Sequence, residues 1–195
     1  MQHKVKVTVL DKKLFKDLQE EYCANPESGV CGVYNIGDEY TFERYGGVDS
    51  FWHGGMNTLT KTSCDNPHTC GNATCPHCSE AWDAISRYIY TGLQGGSIMR
   101  GWMKDERVMI ASCNDGTRPV IFKIQRMDYK AVYIEGIGCD NCRNKIQDAL
   151  MKLDGVTDVT FRDGFTEVYM DYDVKDSAIQ EAITSCGSYH VVRID

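Results

Sequence analysis

The sequence predicts an α+β fold in two domains, a cysteine-rich first domain over residues 1–128 and a smaller second domain over residues 129–195. Three observations predict it. Runs with an apolar residue at every second position are interspersed with runs that place apolar residues at i, i+3, i+4 and i+7, so the chain mixes strands with helices. Hydrophobic residues make up 42% of 195, enough to bury a sizeable core. The motif-bearing cysteines fall in two groups, at residues 64–78 and 139–142, each just before a helical pattern.

Residues 4–10 alternate, with Val5, Val7 and Val9 on one face, which predicts a strand buried on one side. Asp11 is placed to cap a helix over residues 12–22, with Leu14, Phe15 and Leu18 inward. Asn25, Pro26 and Gly29 make residues 23–31 a loop. Residues 33–44 read as one or two short strands broken at Gly37-Asp38. Residues 46–62 have four glycines and no clear period, a loop that packs Phe51 and Trp52 onto a neighbour. Ala81, Ala84, Ile85, Tyr88 and Ile89 then form a helical stripe that ends at Gly95-Gly96. Residues 107–113 and 118–126 are strands joined by the hairpin signal Asn114-Asp115-Gly116. The domain boundary falls at residues 127–129.

The second domain opens with a strand whose Val132 and Ile134 face inward. A helix carries Ile146, Ala149, Leu150 and Leu153. Residues 156–162 and 165–172 form a hairpin around Asp163-Gly164. Ala178, Ile179, Ala182 and Ile183 line a second helix, and residues 189–194 are the last strand. Both crossovers contain a helix, as right-handed βαβ units require.

Charge and composition exclude several classes. The net charge is −7, and residues 129–195 hold most of it, with 12 acids against 7 bases. No basic stripe exists, which argues against a nucleic-acid partner. No run of 18 apolar residues exists, which argues against a membrane span. The first seven residues alternate polar and apolar, as a strand does and a secretory leader does not. Ten cysteines in that context predict reduced thiols in a cytoplasmic protein, and metal or redox chemistry ahead of a disulfide framework.

The most informative stretch is Glu135-Gly-Ile-Gly-Cys139-Asp-Asn-Cys142. A strand and a glycine turn precede it and a helix follows, so Cys139 sits in the loop and Cys142 in the first helical turn. Backbone N–H groups and the positive helix end stabilise thiolate there. Two thiolates on a loop suit a soft ion, Cu(I) or Zn²⁺. The same spacing also supports disulfide exchange.

These residues resemble the Gly-Met-x-Cys-x-x-Cys loop of heavy-metal-associated domains, the copper-chaperone family. The resemblance continues through Leu153-Asp-Gly-Val156 and closes at Gly187-Ser-Tyr-His-Val-Val192. It covers about the last third of the chain. It implies a ferredoxin-like βαββαβ fold with Cys139 and Cys142 as metal ligands. The chain departs from the pattern at Ile137, where the family carries Met, and at Gly138, where it carries Thr or Ser.

Cys64, Cys70, Cys75 and Cys78 form the other group, with His68 and His77 among them. Three readings stay open. Four N/S ligands would close a structural zinc site. Four thiolates would hold an iron–sulfur cluster. Cys75-Pro-His-Cys78 would serve as a redox dithiol, although the surrounding thioredoxin pattern is missing. Cys113, at a strand end beside a turn, is a candidate nucleophile or extra ligand. His53 and His77 are candidate ligands or acid–base groups. Cys23, Cys31 and Cys186 read as core residues. The first domain also resembles a family of small uncharacterised prokaryotic proteins with a cysteine-bearing centre, an aromatic-rich helix and a closing hairpin like Arg118-Pro-Val-Ile-Phe-Lys-Ile124. That family's hairpin often carries two adjacent cysteines where this chain has Ser112-Cys113.

The sequence therefore predicts soft-metal binding and transfer, with Cys139 and Cys142 serving a site built from Cys64, Cys70, Cys75, Cys78 and Cys113. The expected partners are the metal ion and a partner protein or small thiol. The alternative is a thiol-redox or iron–sulfur enzyme that uses the first-domain cysteines, with the second domain as dithiol or partner module.

Overall fold

The computed structural model describes residues 1–44, 59–61 and 78–195. It is α+β, as the mixed periodicity predicts, and divides into two compact units, Lys4–Arg126 and Met1–His3 with Met127–Asp195.

In the first unit, β1 (Gln2–Lys12) is followed by α1 (Lys16–Tyr22), β2 (Glu39–Arg44), β3 (Leu59–Lys61), α2 (Ser79–Leu93), β4 (Val108–Ser112) and β5 (Val120–Glu135). The strand order is β3-β2-β1-β5, and β4 also pairs with β5. β1 and β2 are antiparallel, with Val5 opposite Phe42 and Val7 opposite Tyr40. The alternating valines of β1 and Val120, Phe122 and Ile124 of β5 are at most 1% exposed. Ala81, Ala84, Ile85, Ile89 and Leu93 of α2 complete that core. Gly92 lets α2 approach closely, because a Cβ there would lie 2.6 Å from Val5 Cγ2.

The start of α1 differs from expectation. Asp11 belongs to β1 and accepts the Lys12 N–H at 2.7 Å, so it caps no helix. The Lys13 and Phe15 amides instead donate to the carbonyls of Pro119 and Thr117, both at 2.9 Å. Amides drawn into that pairing cannot begin a helix, so α1 starts only at Lys16. The apolar residues expected inward turn outward: Leu14, Phe15 and Leu18 are exposed, and the buried residue of α1 is Gln19.

The sequence places the domain boundary at residues 127–129, and the two units divide at Met127. β5 runs through it without interruption. No glycine or proline interrupts the stretch, and the buried Asp128 is satisfied by His3 Nδ1 at 2.9 Å.

The second unit continues from β5 into α3 (Asp140–Leu150), β6 (Val156–Phe161), β7 (Thr166–Met170), α4 (Asp176–Ser185) and β8 (His190–Ile194). β7 and β8 flank β5, both antiparallel to it, and β6 pairs antiparallel with β7. This is the ferredoxin-like order β6-β7-β5-β8. Val132, Val168 and Met170 of the sheet meet Ile146 and Leu150 of α3 and Ile179 and Ile183 of α4. Lys130 enters the same side at 7% exposure. Its ammonium donates to the Val174 carbonyl at 2.6 Å and pairs with Asp176 at 2.6 Å and Asp173 at 2.9 Å, fixing the turn into α4.

Candidate metal centre

The loop between β5 and α3 presents the Cys-x-x-Cys pair. Gly136 adopts φ +92, which favours glycine, and turns the chain out of β5. Cys139 is the N-cap of α3 with extended backbone, φ −160 and ψ 167. Its carbonyl accepts the amides of Cys142 at 3.1 Å and Arg143 at 3.2 Å. That first turn folds Cys142 back over Cys139, and the two Sγ atoms lie 3.1 Å apart. Cys139 is exposed and Cys142 half-buried, so the pair is open to an incoming ion. Ile137 packs into the domain core beneath the loop.

The electrostatics favour thiolate at Cys142. Its thiol is lowered to about 7, first by the hydrogen bond from Cys139, then by the Gly138 amide, the Tyr189 hydroxyl and the Cys139 amide. Tyr189 is the donor in its contact with Cys142, and that bond pushes its own hydroxyl up to about 12. Two glycines seat the ring. A Cβ on Gly187 would lie 2.5 Å from Tyr189 Cε2, and one on Gly136 would lie 3.0 Å from the Ser188 carbonyl oxygen. Without side chains at these positions, the turn after α4 can lie on the cysteine loop. Cys186 also acts on the Tyr189 hydroxyl, while its own thiol donates to the Ile183 carbonyl at 3.2 Å.

The heavy-metal-associated domain family matches residues 131–188, the segment that builds this geometry. Copper chaperone CopZ of Staphylococcus haemolyticus is 39% identical over 61 residues, which are 30% of this chain and 90% of that protein. The chain belongs to the heavy-metal-associated domain family. A crystal structure of a copper binding domain from HMA7, a P-type ATPase, is 26% identical, covering 35% of this chain and 99% of that one, with a TM-score of 0.30.

The matched residues of the heavy-metal-associated domain leave Lys4–Arg126 outside. Of the first-domain cysteines, Cys64, Cys70 and Cys75 lie outside the described residues, as do His53, His68 and His77. Cys78 is the N-cap of α2 and half-buried. Cys113 is buried, and its sulfur accepts the Val120 N–H at 3.3 Å. Among the described residues, no three His, Cys, Asp or Glu side chains are arranged to hold a metal ion. Among them too, no helix is long and apolar enough to cross a membrane.

Sequence reasoning placed both cysteines of the heavy-metal-associated domain but did not assign Tyr189 a role. The signal was present in Gly187-Ser-Tyr189, where a glycine sits two residues before an aromatic.

Proposed function

We propose that this protein captures copper as Cu(I) through Cys139 and Cys142 and passes it to another set of thiolates. One observation carries the reading. Two thiols stand 3.1 Å apart on an open loop at a helix start, one of them lowered to about 7, in a chain 39% identical to a copper chaperone over that region. Soft thiolates favour Cu(I) over hard cations, and two sulfurs suffice for it. Zn²⁺ would need two further ligands to close a tetrahedral site. Each thiol that binds releases its proton, so a Cys142 already half ionised near neutral pH lowers the cost of capture.

Transfer proceeds by ligand exchange. An incoming thiolate adds to the ion before the first one leaves, with no change of oxidation state. The recipient is a partner protein, a small thiol, or the first-domain site of Cys64, Cys70, Cys75, Cys78 and Cys113. The setting is the reducing cytoplasm, where the thiols stay reduced.

The test is anaerobic purification without chelator, elemental analysis, and competition with the Cu(I) chelator bicinchoninate. Tight copper that is lost in Cys139→Ser/Cys142→Ser supports the reading. Iron with acid-labile sulfide, or copper content unchanged in that variant, overturns it.

A further inference from the structure

Several described thiols are turned to the backbone. Cys113 Sγ accepts the Val120 N–H at 3.3 Å, and the Cys186 thiol donates to the Ile183 carbonyl at 3.2 Å. Cys139 and Cys142 instead meet sulfur to sulfur, at 3.1 Å. Cys139 belongs to the extended N-cap and Cys142 to the first turn of α3. The N-cap lies half outside the helix, so its backbone can shift without breaking the hydrogen bonds that follow.

The separation decides what the pair can become. Two bonded sulfurs stand about 2.05 Å apart, so the pair would close by about 1 Å to reach a disulfide. Two sulfurs in line across an ion stand about 4.6 Å apart, so it would open by about 1.5 Å to hold one. The two outcomes exclude each other, because sulfurs bonded together have no thiolate left to give a metal. Access favours one order of events. Cys139 is exposed and Cys142 half-buried. A Cβ on Gly138 would meet nothing within 4 Å, so the loop beside Cys139 leaves room for a bulky reagent. An incoming disulfide therefore meets Cys139 first, with Cys142 already 3.1 Å behind it.

We propose that Cys139 and Cys142 are also a thiol–disulfide exchange pair for a small disulfide of the glutathione type, and that this exchange and copper capture compete for the same two sulfurs. The step balances. Cys139 sulfur loses its proton and attacks one sulfur of the small disulfide, whose S–S bond breaks and releases one thiol. Cys142 sulfur then attacks Cys139 in that mixed disulfide and releases the second thiol. The protein dithiol has lost two electrons and two protons, and the small disulfide has gained both as two thiols. The exchange stands without the proposed function, and its competition with copper rests on that reading.

The experiment uses the full chain, reduced and stripped of metal, in anaerobic buffers of graded oxidised-to-reduced glutathione ratio. Acid quench, alkylation with iodoacetamide and trypsin then yield peptide 131–143, which carries both cysteines and no other. As the ratio rises, this peptide should lose both alkyl groups together and appear as the internal disulfide. Cys142→Ser should stop at a glutathione adduct on Cys139, whereas Cys186→Ser should change nothing. Loading with Cu(I) beforehand should slow the exchange at least about tenfold. A peptide that stays doubly alkylated in the unsubstituted chain, or that stops there at the mixed disulfide, overturns the proposal. So does exchange at an unchanged rate in a chain shown by elemental analysis to hold copper at Cys139 and Cys142. If copper binds and no exchange occurs, this inference falls and the metal-transfer reading stands. If exchange occurs and no copper binds, the metal-transfer reading falls and the competition with it, while the exchange activity stands.

Discussion

Cys142 Sγ lies 3.1 Å from Cys139 Sγ, closer than two sulfurs in line across an ion can be. With sulfur–metal bonds of about 2.3 Å, an ion in line between them holds the sulfurs about 4.6 Å apart. Copper bound at this pair should therefore spread it, with the loop from Gly136 to Cys139 giving way. X-ray absorption at the copper edge should show two sulfur neighbours, and a crystal structure of the copper-loaded chain should show the two sulfurs moved apart. Retention of the close pair beside a bound ion would contradict this account of the site.

Cys142 should react as a thiolate near neutral pH. Its alkylation rate should rise with a midpoint at about pH 7, where an ordinary thiol requires about pH 9. Tyr189→Phe removes one donor and should move the midpoint upward while leaving the fold intact by circular dichroism. The linkage to stability has a definite sign. The folded value lies below the unfolded one, so this contribution is fully present above pH 9 and is lost as pH falls through 7. Because the site is open to water, the effect on unfolding is small, and reactivity is the better readout.

Gly187→Ala should imitate Tyr189→Phe from a distance. The added methyl would lie 2.5 Å from the Tyr189 ring, so the ring must leave its seat. The expected signature is an upward shift of the Cys142 midpoint together with weaker Cu(I) retention. An unchanged midpoint would show that the hydroxyl does not depend on this glycine.

Lys130 offers a test of buried charge. Burial opposes its ammonium, but hydrogen bonds to Asp176 and Asp173 outweigh that and raise its affinity for the proton. Asp173→Asn/Asp176→Asn leaves the cation without its carboxylates and should lower the melting temperature more than Lys130→Met does. The pair's contribution holds below the unfolded lysine value and is lost as pH rises through the folded value, above 10.5. Thermal unfolding of the three proteins across alkaline pH would decide it.

At Gly92, helix propensity and packing oppose each other. Alanine gains about 1 kcal/mol within a helix. Its methyl would lie 2.6 Å from Val5 Cγ2, a crowding that costs about 1–3 kcal/mol in a well-packed core. Gly92→Ala should therefore destabilise on balance, and the sign should reverse in a Val5→Ala background. Urea unfolding of the four-member cycle measures both.

Much of this was legible because local signals agreed with the global fold. The valines of β1, the stripe of α2 and the helix–turn–strand order after Lys130 each have one period and one buried face. Asp11 and Leu14 misled because their local pattern suits a helix, while Pro119 and Thr117, over a hundred residues away, offer strand-like partners to the amides of Lys13 and Phe15. The division between the two units falls at Met127, inside the boundary read from the sequence, and β5 continues through it without a break.

The sequence by itself determined the ferredoxin-like domain and placed Cys139 and Cys142 at a helix start, since residues three apart in a first turn are neighbours whatever surrounds them. Only the tertiary structure decided that Tyr189 faces Cys142. Those two residues are 47 positions apart. No local period encodes such meetings. They follow from strand pairing, from glycines that admit a ring, and from the buried faces that hold each loop in place.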